Sequence, residues 1–230
     1  MRTIFKTNRA LIFDVETTGL LPKKGQPVKD YPHIIQMSFV LFNLLTKTVE
    51  LQKNFYINIP NDVEITEKIT ELTGITKKMC STSGVSIIYA LNEFYQAYNS
   101  CDVIIAHNHE FDSQMIKLEI YRNREILQKA NDKVECLNLF NSIYDSIYNI
   151  EHFCTMKSSV DICNILIQKP GKTPYKKWPT LLELYEHLFG ETPSGLHNSM
   201  VDTLVCMRCY LKIKHGIEMR SSYFYELPKI

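Results

Sequence analysis

Net charge is almost absent from this 230-residue chain, which sets 26 Lys and Arg against 25 Asp and Glu. A protein that coats duplex nucleic acid through long-range attraction carries a strong basic excess, so any nucleic-acid contact here is expected to be local. Long apolar runs are missing as well. The least polar stretch, Ile34 to Leu45, is interrupted by Gln36, Ser38 and Asn43 and falls well short of a membrane span. The opening MRTIFKTNRALIFDVE has charges on both sides of a four-residue apolar run, too short for a secretory leader. Nor is there a disulfide pattern, because the seven cysteines are odd in number and scattered through apolar surroundings, as reduced thiols are. Cys206 and Cys209 form a C-x-x-C, yet no second C-x-x-C or H-x-x-x-H accompanies it, and its strongly helical setting favours helix packing over zinc. These absences predict an intracellular, reducing location, cytoplasmic or nuclear, without a membrane. No internal repeat or low-complexity linker divides the chain, so one domain over 1–230 is expected, with a core at about 8–213 and a tail over 214–230.

Aromatic residues are plentiful: eleven Phe, thirteen Tyr and one Trp supply enough bulky apolar surface for one core. Ala10 to Glu16 reads as a buried strand running into a turn at Thr-Thr-Gly. Ile34 to Phe42 and Thr48 to Ile57 read as an antiparallel hairpin around the polar break 43–47. Apolar residues at helical spacing predict helices over Val85 to Tyr98 and about Glu110 to Lys129, on either side of a central strand at Asp102 to His107. The stretch 131–151 resembles a surface helix and an insertion, Phe153 to Thr155 a short strand, and a short helix is expected from about Ser158. Two last helices are predicted near Thr180 to Phe189 and Ser199 to Lys214. Strands first, then strands alternating with helices, define an α/β layered architecture.

Three sets of residues carry chemistry. Asp14 and Glu16, one residue apart on a strand, put both carboxylates on one face. Two anions at the end of a buried strand need a cation, although a strand that has reached solvent explains the pair equally well. In HNHEFD, directly after a strand, Asn108 and Asp112 fall where sites gather in open α/β sheets. An Asp in a first helical turn is also favoured by the helix dipole alone, the commoner case for an isolated motif. In LHNSMVDTLVCMRCY, His197 and Asp202 lie off the core stripe of Met200, Leu204, Met207 and Leu211. Five residues along a helix turn side chains about 140° apart, so both face one site only if His197 sits at or before the helix start. A lone histidine beside a helix is more often a surface residue.

Together, LIFDVETTGL, HNHEFD and HNSMVD resemble, in order, the three motifs of the DEDDh exonucleases, the family of the bacterial DNA polymerase III proofreading subunit, RNase T and oligoribonuclease. The likeness runs over about residues 8 to 213. It implies a ribonuclease-H-like fold, a mixed five-stranded sheet flanked by helices. It also implies that Asp14, Glu16, Asp112 and Asp202 bind two Mg²⁺ or Mn²⁺ ions and that His197 is the general base. Thr17 and Leu20 would touch the terminal nucleotide, Phe111 would pack under a base or sugar, and Asn108 would orient substrate or Asp112. The activity implied is 3′–5′ exonucleolytic release of nucleoside 5′-monophosphates from single-stranded nucleic acid, with DNA favoured and a polymerase or repair protein as a possible partner. Hard carboxylate oxygens without thiolates suit those ions.

Rival readings leave residues idle. An Asp-nucleophile phosphatase gives Glu16, His197 and Asp202 no role, and an inactive nucleic-acid-binding or polymerase-tethering module would be expected to have lost a ligand, whereas all five positions are filled. The stretches 21–33 and 131–151 are longer than the smallest members need. The segment QKPGKTPYKKWP, with four lysines and the only tryptophan, offers phosphate contacts and stacking. A solvated connector with Trp178 packed into the core before the next helix is the favoured reading of it.

Overall fold

The computed structural model describes residues 6–23, 25–129 and 134–219. Its centre is a five-stranded sheet in the order β3-β2-β1-β4-β5. The first hairpin-like unit is β1 (Arg9–Thr17) against β2 (Ile34–Asn43), and β2 in turn pairs with β3 (Thr48–Tyr56), all antiparallel. Asn43 builds the β2–β3 turn, its side-chain oxygen accepting the N–H groups of Leu45 and Thr46 at 2.9 and 3.0 Å.

Two short helices follow that the apolar periodicity does not reveal, α1 (Glu67–Thr73) and α2 (Lys77–Ser83). Thr66 and Thr76 cap them by accepting from Ile69 and Met79. Helix α3 (Ile87–Tyr98) begins two residues later than predicted, because Ser86 is its N-cap. Strand β4 (Val103–Ala106) then joins β1 in parallel.

The helix predicted to 129 is two, α4 (His109–Arg122) and α5 (Arg124–Lys129), separated at Asn123, whose side chain bonds back to the Glu119 carbonyl at 2.8 Å. Of the 131–151 stretch, residues 131–133 lie outside the described set; the rest forms a 3-10 turn (Val134–Asn138) and a short helix α6 (Ser142–Ile147) capped by Asn141. The short strand lies slightly earlier than expected, at β5 (Glu151–Cys154), and the chain turns helical at once through α7 (Thr155–Ser158) and α8 (Val160–Cys163). A small hairpin, β6 (Leu166–Ile167) and β7 (Tyr175–Lys176), precedes α9 (Leu181–Phe189) and α10 (Ser199–His215).

Alternation along β1 sorts the core into two layers. Leu11, Phe13 and Val15 face α3 and α4; Phe94 of α3 lies 5.2 Å from the Phe13 ring, and Phe140, after the 3-10 turn, 5.6 Å from it. Ala10 and Ile12 face α10, whose Leu204, Met207 and Leu211 close the opposite layer. Helices on both faces of a mixed sheet make this the ribonuclease-H-like α/β fold. Cys206 and Cys209 are buried in α10, the first packed in the layer under the sheet and the second against Leu184 and Tyr185 of α9. Residues after 213 also contribute: Ile217 and Met219 pack on the α10 layer, and the Met219 carbonyl accepts from Arg208 Nε at 2.9 Å. Among the described residues no helix is long and apolar enough to cross a membrane.

Candidate active site

β1 outruns its neighbour. Its parallel pairing with β4 covers only Ala10 to Ile12, so residues beyond Phe13 have no strand on that side. The gap lies where β4 hands over to α4, and Asp112 in the first turn of α4 fills it, its carboxylate accepting the N–H of Val15. That contact puts a buried aspartate beside β1.

On the α10 side, Asp14 and Glu16 continue the face begun by Ala10 and Ile12, as a period of two requires. Asp202, in the first turn of α10, meets them there. Ligand oxygens of Asp14, Glu16 and Asp202 lie within 4.8 Å of one another. Asp112 approaches from the β4 side; it is outside that tight trio but close enough to act electrostatically on Asp14.

A polar network fixes the start of α10. Opposite Asp14 and Glu16 in the β1–β2 register stand Ser38 and Gln36. The Ser199 N–H donates to Gln36 Oε1 at 3.1 Å, and the Ser38 and Ser199 hydroxyls lie 2.6 Å apart. Asn54 of β3 accepts from both Gln36 and Ser38 at 2.9 Å. The signal for these residues was in the sequence, as polar breaks in an otherwise apolar strand, but without knowing what packs above β2 it had no chemical meaning.

His197 precedes the α10 N-cap, Asn198, and is exposed. Its φ of 68° lies in the left-handed region, uncommon for a residue with a Cβ, and its own N–H donates to Asp202 Oδ2 at 3.1 Å. The histidine is thereby turned out of the helix and tied to the carboxylate.

The first-motif turn is equally defined. Thr17 is buried, with its hydroxyl donating to the Gly19 carbonyl at 2.7 Å, while Leu20 is 85% exposed. Thr18 and His33 exchange bonds, Thr18 N–H to the His33 carbonyl and His33 N–H to Thr18 Oγ1, both at 2.9 Å. Arg122, at the end of α4, donates to the carbonyls of Val28, Tyr31 and Pro32, and pairs with the buried Glu119 at 2.8 Å. Residues 28–33 are therefore clamped beside Leu20, and a groove of about 580 Å³ opens between them. Asn108 is exposed and makes no side-chain cap; its carbonyl accepts from Phe111 and Asp112 at 2.8 and 3.2 Å. Phe111 is half-buried against the α3–α4 layer.

Electrostatics make the acidic end costly. Burial pushes Asp14 well up, and Asp112, Asp202 and Glu16 push it further. Glu16 is raised to about 8 by burial and then by Asp202, and Asp202 to about 7 by burial. Burial likewise raises Asp112, against the Val15 bond that lowers it. Among the described residues no basic side chain pairs with any of these four. Asp202 Oδ1 is buried with no hydrogen-bond partner. Hard oxygens, mutual repulsion and an orphaned acceptor all fit a divalent cation, and the trio of Asp14, Glu16 and Asp202 can coordinate one or two.

Comparison with known proteins agrees with this arrangement. The family model described as exonuclease, RNase T, matches residues 11–210. The chain belongs to this exonuclease family, and the three motifs place it with the DEDDh enzymes. No curated protein sequence matches the chain at a significant level. Among solved structures, the nuclease domain of 3′hExo, a DEDDh family member bound to rAMP, is similar with TM-score 0.62 at 16% identity, covering 93% of this chain and 95% of that one. E. coli exonuclease I in complex with a dT13 oligonucleotide is similar with TM-score 0.61 at 16% identity, covering 91% of this chain and 42% of that one. A 3′-exonuclease described for 3′-end-specific recognition of histone mRNA stem-loop gives TM-score 0.62 at 16% identity, covering 94% of this chain and 86% of that one. The chain thus spans under half of exonuclease I. At such identity these likenesses speak for the fold.

Proposed function

We propose that the chain, acting as one domain, removes nucleotides one at a time from the 3′ end of single-stranded nucleic acid, DNA in preference to RNA, and releases nucleoside 5′-monophosphates. The observation that carries the reading is the close trio of Asp14, Glu16 and Asp202 with its unpartnered Asp202 Oδ1, next to an exposed histidine. Glu16 and Asp202 with Asp14 would hold one Mg²⁺ or Mn²⁺, and Asp14 with Asp112 a second. Such ions supply neutralisation of the charge that builds on the phosphoryl oxygens and acidification of water.

The protein's own groups do the rest. The Leu20 side chain stands free to wedge against the terminal base, with the Thr17–Gly19 bond holding the turn that presents it. Asn108, exposed just before α4, orients the substrate or Asp112, and the half-buried Phe111 packs under a base or sugar. Water attacks phosphorus as an imidazole nitrogen of His197 takes its proton. The bond from phosphorus to the upstream O3′ breaks, that oxygen is protonated from solvent, and the 5′-phosphate leaves on the released nucleotide. The left-handed turn at His197, tied through its N–H to Asp202, keeps this residue next to the carboxylate with its side chain open to solvent.

The test is direct. With Mn²⁺, a 5′-labelled single strand is expected to shorten in single-nucleotide steps, a 3′-terminal phosphate is expected to slow it, and matched DNA is expected to be consumed faster than RNA. Immediate appearance of internal fragments would show endonucleolytic chemistry instead.

A further inference from the structure

Trp178, the only tryptophan in the chain, does not pack into the core as its helix-preceding position predicts; it is 59% exposed. Yet it is not on a loose tip. Pro179, next along, is buried, and its carbonyl lies 3.1 Å from His107 Nε2. A carbonyl only accepts, so Nε2 carries the ring proton and Nδ1 accepts from Thr155 Oγ1 at 3.0 Å. On the other side Lys177 donates its N–H to the Ile165 carbonyl at 3.0 Å and pairs with Glu183 at 2.5 Å. An indole facing water while its backbone is fastened on both sides gains nothing for the core.

Its fastening also locates it. His107 immediately precedes Asn108, the N-cap of the helix that carries Asp112. Lys157, with Nζ 5.8 Å from the indole centroid, pairs with Glu110 in the first turn of that helix at 2.7 Å. Trp178 and Lys157 therefore adjoin the first turn of α4, which also carries Asp112. Behind them, residues 166–179 hold four lysines and no acid; Lys176 pairs with Asp161 at 2.7 Å and Lys177 with Glu183, and no ion pair is seen for Lys169 or Lys172 among the described residues. There Tyr175 is 42% exposed and Lys169 Nζ lies 5.9 Å from its ring.

We propose that Trp178 is a stacking platform for a base on the 5′ side of the scissile bond, with Lys157 and the hairpin lysines Lys169 and Lys172 taking the phosphates of that strand. The inference rests on the exonuclease reading of the adjoining site. An exposed π-face with the Lys157 ammonium near it suits a flexible anionic strand whose every base can stack, whatever its sequence. It also suits a chain of net charge +1, since the contact is made through a few local cations, Lys169 and Lys172 of the hairpin among them.

Because the chain has one tryptophan, its indole emission reports this residue alone. In the Asp14→Asn variant with Mn²⁺, titration with dT10 is expected to quench that emission saturably, and dTMP, which fills only the terminal position, to leave it nearly unmoved. In the active protein, Trp178→Ala is expected to raise KM for dT10 about tenfold, with kcat changing far less, and Trp178→Phe to recover most of the loss. Binding of labelled dT10 by anisotropy without quenching, or an unaltered KM in Trp178→Ala, overturns the platform. A protein that binds dT10 with quenching but trims nothing keeps the platform and loses the exonuclease reading; one that trims dT10 with unquenched emission does the reverse.

Discussion

Asp14→Asn is expected to lose nuclease activity by about 10³-fold or more and, in metal-free buffer, to melt at a higher temperature than the parent. The two effects share one cause. Asp14 sits where burial and three other carboxylates all oppose its ionisation, so the metal-free fold carries a penalty that a bound cation removes. Asparagine keeps the shape and deletes the charge, relieving the penalty while removing the ligand that the other acids surround. Each kcal/mol relieved shifts Tm by about 2–4 °C in a chain of this size.

The pH dependence follows with a definite sign. Glu16 and Asp202 hold their protons to about 8 and about 7 in the metal-free fold, above the range of free carboxyls in the unfolded chain. Through these two groups the folded state binds more protons across that window, so their contribution to stability falls as pH rises from the unfolded carboxyl range to about 8, while His33, His107 and His109, each lowered to about 4 chiefly by burial, act in the opposite sense between there and the free imidazole range. Below the window both states are protonated and the penalty vanishes. Calorimetric scans of parent and Asp14→Asn in EDTA across that range should converge at the acidic end and separate at the alkaline end, and added Mn²⁺ should raise the parent's Tm most at high pH. A Tm difference between Asp14→Asn and the metal-free parent that does not grow from pH 5 to pH 8, or full activity in Asp14→Asn, contradicts the cation site.

What the sequence disclosed and what it withheld divide along physical lines. Strands β1, β2 and β4 were legible because each is a short apolar run ending at turn residues, and the acids at their ends stood out against it. That Asp14 and Glu16 share a face follows from the pleat alone. That Asp202 meets them does not, since it depends on α10 crossing the far end of β1, which Ser199, Gln36 and Ser38 enforce from 161 or more residues apart. Helices α1 and α2 were missed because they are one or two turns long and largely exposed, so threonine caps rather than an apolar stripe define them. Trp178, which hydrophobicity alone assigns to the core, faces outward, while its neighbour Pro179 is the buried residue.

His197→Ala separates catalysis from metal binding. Its ring is exposed and its only recorded tie to the acidic trio is through its backbone N–H, which alanine keeps. Mn²⁺ affinity and single-strand affinity are therefore expected to stay near the parent's, while the single-turnover rate falls by about 10²–10⁴-fold, the usual contribution of a general base. Alanine also relaxes nothing essential: at φ 68° it is as strained as histidine, so the turn before Asn198 should hold or loosen without unfolding α10. A second variant guards against that loosening. His197→Gly adopts the same φ freely, and if position matters only through the ring, it must be as slow as the alanine variant. Added imidazole should then restore part of the rate in the glycine variant, where the vacated space is largest, and none in Asp14→Asn, where the missing group is a ligand and not a base. Isothermal titration of Mn²⁺ into each protein beside single-turnover trimming of a 5′-labelled strand decides it. If His197→Gly trims at the parent's rate, the histidine is a surface residue and the proton must leave by another route.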